Sequence, residues 1–275
     1  MKKSVMNKLF VMFLALGIVS AANASVIWHY TFDETTGTTA NDSVGSYNGT
    51  LVNATGTPAY SFDNQSVSGK YGNALYFRGP NAGNGGVGDD YINVTTGDSS
   101  LPGAGDDVTV SMWVKTTNWG QGAVLFSYNK DNLLFTIGLN TVSGAAQLQV
   151  YSRNVSADTT IQEQTVITGI SSSVWHLITV SVTDTDPTIY LDGVDVGASA
   201  VTTSWAAGSG INIGRRNFSS KRYFTGAMDD FAIFDTALSS EQVAAIYNST
   251  TTIPEPATIA MLALGLAAVC RRTRK

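Results

Sequence analysis

Cysteine is nearly absent from this chain. Its one cysteine among 275 residues, Cys270, sits close to the C-terminus, so no internal disulfide, Cys-x-x-Cys redox pair or cysteine-based zinc site can form. Glutamate is scarce too, at four residues, and charged side chains make up 13% of the chain, about half the usual ~25%. With 27 glycines and abundant Thr, Ser, Asn and Val, this composition excludes a helical bundle. Histidine occurs twice, at His29 and His176, and neither has a Cys, Ser or Glu motif beside it. No apolar run reaches the ~20 residues that a membrane-spanning helix needs.

The formal charge of −5 hides an asymmetry. Residues 1–24 carry three cations and 271–275 carry four, while residues 25–253 hold nine Lys/Arg against twenty Asp/Glu. A body of net charge −11 disfavours nucleic acid and anionic lipid, whose binding requires basic patches. Cations or neutral sugars are the expected partners of such a body.

Both ends are expected to be processing segments rather than fold. Lys2, Lys3 and Lys8 precede the apolar run Leu9 to Ala22, and Ala22-Asn23-Ala24 offers the small-x-small pattern of signal peptidase cleavage, which predicts Ser25 as the mature N-terminus. At the other end Pro254-Glu255-Pro256 is followed by an apolar stretch, Thr258 to Cys270, and the basic end Arg271-Arg272-Thr273-Arg274-Lys275. Thirteen helical residues rise about 20 Å against a hydrocarbon core of ~30 Å, which suits a transient hold better than a permanent anchor. The basic cluster would stay cytoplasmic. This order resembles the PEP-CTERM sorting tail of Gram-negative exopolysaccharide producers. The resemblance implies recognition by an exosortase, cleavage near the Pro-Glu-Pro, and passage through an inner-membrane intermediate to the cell surface or extracellular matrix.

The body reads as strands. Val26, Trp28, Tyr30 and Phe32 alternate with Ile27, His29 and Thr31, a period of two that puts the large side chains on one sheet face. Similar runs are expected at 73–77, 108–116, 123–128, 133–139, 147–151, 175–183 and 224–234. Asp192-Gly193 between Thr188–Leu191 and Val194–Val196 predicts a type I′ hairpin. One short helix is expected at Ser239 to Asn248, with Ser239 and Gln242 as a capping box and Leu238 and Val243 as a staple. No linker divides the body, and the expectation is one all-β, two-sheet antiparallel sandwich.

An ordered set of segments carries a second resemblance: Phe32-Asp33-Glu34, Asn41-Asp42-Ser43 with Asn48-Gly49-Thr50, Gly72-Asn73-Ala74-Leu75-Tyr76-Phe77, Val110-Ser111-Met112-Trp113-Val114, Trp175-His176, Ile189-Tyr190-Leu191-Asp192-Gly193, and Gly226-Ala227-Met228-Asp229-Asp230-Phe231 through Leu238-Ser239. They are similar to a LamG-like, concanavalin A-type jelly roll, over residues 25–250 between a signal peptide at 1–24 and the tail at 253–275. The resemblance implies a lectin-like sandwich, in a family that also holds adhesion modules, structural domains and noncatalytic appendages.

Catalysis is not expected. Gly83-Asn84-Gly85-Gly86-Val87-Gly88 matches G-x-G-x-x-G, but Asp89 and Asp90 and the strand-like Tyr91 to Val94 follow, where a dinucleotide site requires a helix. The glutamates of the body, Glu34, Glu163 and Glu241, are too scattered to suggest a glycosidase pair. A hard cation, calcium, is the expected cofactor. Asp42 and Asn48 near the first turn and Asp229 and Asp230 on a late strand could supply oxygen ligands if the first and last strands meet. Alternation puts Asp229 on the face of Phe231 and Ile233. Arg215, Arg216, Lys221 and Arg222, with Phe218 and Tyr223, form the densest cation cluster and the candidate grip for acidic polysaccharide. Trp119 and Trp205 are further candidates for stacking on sugar rings. The expected function is a secreted, non-catalytic surface protein that binds extracellular polysaccharide. The alternatives are a purely structural matrix protein and a carbohydrate-active enzyme.

Overall fold

The computed structural model describes residues 24–54, 59–79, 89–95, 107–130, 133–154, 159–166, 170–183, 186–198, 210–216 and 222–253. Among the described residues, sixteen strands form two eight-stranded antiparallel sheets.

The first sheet runs β14 (Val194–Ala198), β13 (Asp186–Leu191), β12 (His176–Thr183), β7 (Val108–Lys115), β16 (Gly226–Phe234), β5 (Asn73–Phe77), β4 (Ser66–Ser68). β1 (Val26–Tyr30) joins it on β16, so the first and last strands do meet. The second sheet runs β11 (Thr159–Val166), β10 (Ala145–Asn154), β9 (Leu133–Val142), β8 (Val124–Lys130), β15 (Gly210–Ile213), β6 (Asp90–Val94), β3 (Gly49–Asn53), β2 (Thr39–Ala40).

The period-two apolar pattern places the core between the sheets. Trp28, Tyr30, Leu75, Phe77, Val110, Met112, Val114 and Met228 from the first sheet meet Ile92, Phe126, Tyr128, Phe135, Ile137, Leu148, Ile211 and Ile213 from the second. Each large apolar side chain removed from water contributes about 1.5–3 kcal/mol, and no disulfide is needed.

A second, smaller cluster lies on the outer face of the first sheet. Trp113, Leu177, Tyr190, Ala232 and Phe234 on strands are covered by Ala24, Leu238, Val243, Ile246 and Ile253. Val243 and Ile246 belong to the expected helix, α2 (Ser240–Tyr247), whose N-cap Ser239 and N3 residue Gln242 form the capping box. A one-turn helix, α1 (Phe62–Gln65), was not foreseen. Asp192 and Gly193, at φ 53° and 79°, form the expected two-residue hairpin turn.

One strand departs from simple alternation. The register of β16 against β7 breaks between Asp229 and Ala232, and Asp230 takes φ 50°. This bulge puts Met228, Phe231 and Ile233 in the inter-sheet core. Asp229 therefore does not share a face with Phe231 and Ile233 as alternation predicts. Both carboxylates reach the outer side, towards Lys70, Tyr71 and Ile253.

Among the described residues no helix is long and apolar enough to cross a membrane. Residues 1–23 and 254–275, with Ala22, Pro254, Glu255, Pro256, Arg271 and Arg272, lie outside the described residues, as do 80–88, Trp205, Phe218 and Lys221.

Candidate functional site

The outward face of the second sheet is lined with amides and hydroxyls. On β9, Phe135, Ile137 and Leu139 face the core, so Thr136, Gly138 and Asn140 face away; on β10, Leu148 and Val150 face in and Gln147 and Gln149 out. Ser127 on β8 and Asn212 on β15 point the same way. Register aligns Asn93, Asn212, Ser127 and Thr136 as neighbours across four strands. Asn212 is fully buried, and neither its Oδ1 nor its Nδ2 has a hydrogen-bond partner.

The basic segment lies at the edge of this row. Arg215 and Tyr223 form an isolated bridge, the Arg216 N–H donates to the Arg222 carbonyl at 3.1 Å, and Ser127 Oγ donates to the Arg215 carbonyl at 2.7 Å. These bonds pin the segment onto β8. Arg216 and Arg222 then line a polar recess of about 200 Å³ with Thr136, Asn140 and Gln149, floored by Gly138. A Cβ on Gly138 would lie 2.7 Å from the Ala123 carbonyl oxygen, so the floor stays bare. Arg215 is placed differently: its guanidinium stacks 3.8 Å from the Tyr91 ring centroid, a cation–π contact. Tyr223 is buried beside Tyr91, and burial, ahead of the charge of Asp89, raises its hydroxyl pKa. Thus Arg216 and Arg222 come together at a recess, while Arg215 and Tyr223 pack against Tyr91. Trp119 is buried, with Nε1 donating to the Ser171 carbonyl at 3.3 Å, and does not present a sugar platform.

Thr136, Asn140, Gln149 and Asn212 escaped the sequence reading. Each is an ordinary polar residue on a half-buried strand. Only the pairing of β15, β8, β9 and β10 makes them one surface.

The four candidate cation ligands form two separate arrangements. Asp42 Oδ1 accepts the N–H groups of His29 (3.1 Å) and Val44 (3.3 Å), and Oδ2 accepts that of Tyr47 (3.2 Å). Asn48 Oδ1 accepts the Asp42 N–H at 2.9 Å. This loop caps itself. Asp230 Oδ1 lies 2.5 Å from His29 Nε2, and Oδ2 accepts the Ile253 N–H at 2.8 Å. Asp229 Oδ2 accepts the N–H groups of Lys70 (2.7 Å) and Tyr71 (2.9 Å), leaving Oδ1 buried and unpartnered. Burial pushes this carboxyl up to about 7, with the charges of Asp230 and Asp33 adding to the rise and the Tyr71 and Lys70 N–H groups opposing it.

The four residues therefore do not fit one shared ion, because Asp42, Asn48 and Asp230 are committed to N–H partners. Among the described residues no three His, Cys, Asp or Glu side chains gather as a metal set. Asp229 alone keeps an uncommitted oxygen.

The two histidines hold strands together. His176 Nδ1 lies 2.6 Å from Asp192 Oδ2, and its Nε2 accepts the Ser171 N–H at 3.2 Å. His29 bridges Asp230 and, through Nδ1 at 3.0 Å, the hydroxyl of Ser43, which also donates to the His29 carbonyl at 3.1 Å.

The two ends of the described body approach each other. Ala24 and Ile253 are both buried in the outer cluster, and the Ser25 N–H donates to Asp235 Oδ1 at 2.7 Å.

Known proteins place this architecture. No curated protein matches the chain. Domain 4 of AbnA, a GH43 extracellular arabinanase from Geobacillus stearothermophilus, solved in complex with arabinotriose, superposes with a TM-score of 0.60 at 22% identity, over 82% of this chain and 99% of that one. The binding domain of Paraclostridial Mosquitocidal Protein 1 gives 0.57 at 21% identity, over 82% of this chain and 52% of that one. The receptor binding domain of botulinum neurotoxin D gives 0.57 at 16%, with coverage of 82% and 52%. The chain thus spans about half the length of the two toxin domains, and these likenesses establish the fold alone. Residues 252–275 match the PEP-CTERM protein-sorting motif, which indicates export and sorting to the envelope or surface of a Gram-negative bacterium. Residues 84–244 match the concanavalin A-like lectin/glucanases superfamily, to which this chain belongs.

Proposed function

We propose that this protein is a non-catalytic, lectin-like surface module that binds acidic polysaccharide on the outward face of its second sheet. The observation that carries the reading is the recess where Arg216 and Arg222 face Thr136, Asn140 and Gln149. Guanidinium groups pair with carboxylates in a fixed fork, and amide side chains both donate to and accept from sugar hydroxyls. In an acidic body, two arginines at one polar recess select a negatively charged residue rather than merely attract a chain. A catalytic reading gains little support: Glu34 Oε1 is held by the Asn41 N–H and side-chain amide, and Glu241 sits in the first turn of α2.

The test is titration of the purified protein with polygalacturonate and with dextran. Polygalacturonate binds and added salt weakens it, dextran binds more weakly, and the double substitution Arg216→Ala/Arg222→Ala lowers affinity at least ~10-fold, the loss expected for one charge-assisted contact. Equal affinity in the double variant refutes the site. Absence of binding to either polymer favours a purely structural protein, and release of reducing ends an enzyme.

The calcium reading narrows to Asp229, whose buried Oδ1 is the oxygen that a cation would neutralise. Calcium then raises Tm in the wild type and not in Asp229→Asn, while Asp42→Asn still responds. An unchanged wild-type Tm removes the cation. For export, the reading is cleavage after Ala24 by signal peptidase and near Pro254-Glu255-Pro256 by an exosortase. The intact mass of protein recovered from its own cells tests both.

A further inference from the structure

The first sheet has an outward face of its own, and most of it is covered. Ala24, Leu238, Ile253 and α2 bury Trp113, Leu177, Tyr190, Ala232 and Phe234. The part left open lies across β7, β16 and β5. Register makes Lys115, Ala227 and Tyr76 direct neighbours there, and since Val114, Met228 and Leu75 face the core, all three point outwards.

A small residue between two long ones makes a depression. Lys115 and Tyr76 stand two strand spacings apart, about 10 Å, with only the Ala227 methyl between them. Beside it Gly226 has φ 150°, and a Cβ there would lie 2.6 Å from the Lys115 carbonyl oxygen and 2.6 Å from the Phe224 ring, so no side chain can fill the floor. The resulting open recess measures about 260 Å³, just below the ~300–1,000 Å³ of sites for drug-sized ligands. It has room for a single sugar ring. Tyr76 is one of few exposed large aromatics among the described residues, the Lys115 ammonium is held 4.7 Å from the Trp175 ring centroid, and Thr117 and Ser173 also line the recess.

We propose that this recess is a second saccharide site, for one uronate residue, on the side of the sandwich opposite the Arg216 and Arg222 recess. The apolar face of a pyranose stacks on Tyr76, its carboxylate pairs with Lys115, and its hydroxyls meet Thr117 and Ser173. A neutral sugar leaves the ammonium unused, and a small inorganic anion leaves the tyrosine unused; a uronate uses both. Two sites on opposite faces let one molecule bridge two polysaccharide strands, which turns a surface lectin into a cross-linker. The inference rests on the acidic-saccharide reading for its ligand class but on different residues.

The experiment is an NMR titration of the protein with digalacturonate, paired with turbidity of polygalacturonate. Two separate groups of resonances move in the wild type, one around Thr136 and one around Ala227, and the polymer clouds. Lys115→Gln or Tyr76→Ala silences the Ala227 group alone and abolishes clouding, while Arg216→Ala/Arg222→Ala silences the Thr136 group alone. Lys115→Arg retains both. Loss of both groups in the arginine variant, or an Ala227 group that survives Lys115→Gln and Tyr76→Ala together, overturns the second site. Survival of the Ala227 group with no Thr136 group in the wild type refutes the first site and leaves the second standing.

Discussion

Asp230 accepts the main-chain N–H of Ile253 at 2.8 Å, binding the start of the sorting motif to the last strand of the sandwich. Its other oxygen lies 2.5 Å from His29 Nε2, so one carboxylate ties the first strand, the last strand and the tail junction. Asp230→Asn isolates this role, because asparagine tolerates the φ of 50° and keeps the size while losing one acceptor. Urea unfolding of the variant is expected to show a loss of about 1–3 kcal/mol, the cost of a buried donor left unsatisfied. Asp230→Ala should lose more, since it adds backbone strain. Equal stability of wild type and Asp230→Asn would show that the junction is held by apolar burial of Ile253 alone.

Asp229 gives the fold a pH dependence of definite sign. Its carboxyl titrates near 7 when folded and near the ordinary 3.8 when unfolded. Between those values the folded chain holds a proton that the unfolded chain has released, so stability falls as pH rises from about 4 to 7 and levels off above. The span is at most a few kcal/mol, since each unit of difference corresponds to about 1.4 kcal/mol. Measured in chelator, Asp229→Asn is expected to lose most of this slope; an unchanged slope assigns it to other groups.

Asn212 is expected to cost the fold stability without contributing to binding. Its two amide atoms are buried without partners in the middle of the polar row, a cost of about 1–3 kcal/mol in the ligand-free protein. Asn212→Leu should raise Tm. The same substitution should leave polygalacturonate binding unchanged, because Asn212 is fully buried and does not line the Arg216 and Arg222 recess. A variant that is stabilised yet binds weakly would extend the saccharide site onto β15.

The legible parts of this structure are those specified by neighbours in sequence. Alternating apolar residues gave β1, β5, β7 and β12 to within a residue or two, and Ser239 with Gln242 announced the start of α2. Short β2 and β4 and one-turn α1 have too few residues to show a period. The bulge at Asp229 to Ala232 was hidden for a different reason: it depends on the edge of β16 passing from β5, paired through Met228, to β1, paired from Phe231 onwards. The amide row is illegible for the same kind of reason, since Asn93, Ser127, Thr136 and Asn212 are far apart in the chain and meet only through register. The arginine cluster was visible as composition. Which arginines face a recess and which one stacks on Tyr91 was not.

The Asp192-Gly193 turn joins local and long-range order in one place. Asp192 Oδ2 lies 2.6 Å from His176 Nδ1, Oδ1 accepts the Leu177 N–H at 2.9 Å, and the residue holds φ 53°. Asp192→Asn retains tolerance of that φ and one acceptor, so it should cost about 1 kcal/mol. Asp192→Ala loses both acceptors and adds the left-handed penalty of roughly 1–2 kcal/mol, and should cost clearly more. At Gly193, φ 79° and a Cβ position 3.0 Å from the Tyr247 Cβ make the turn press against α2. Gly193→Ala is therefore expected to loosen the helix as well as the turn, seen as faster amide exchange at Ala244 to Tyr247. If exchange there matches the wild type, the helix is positioned by Val243 and Ile246 and not by the turn.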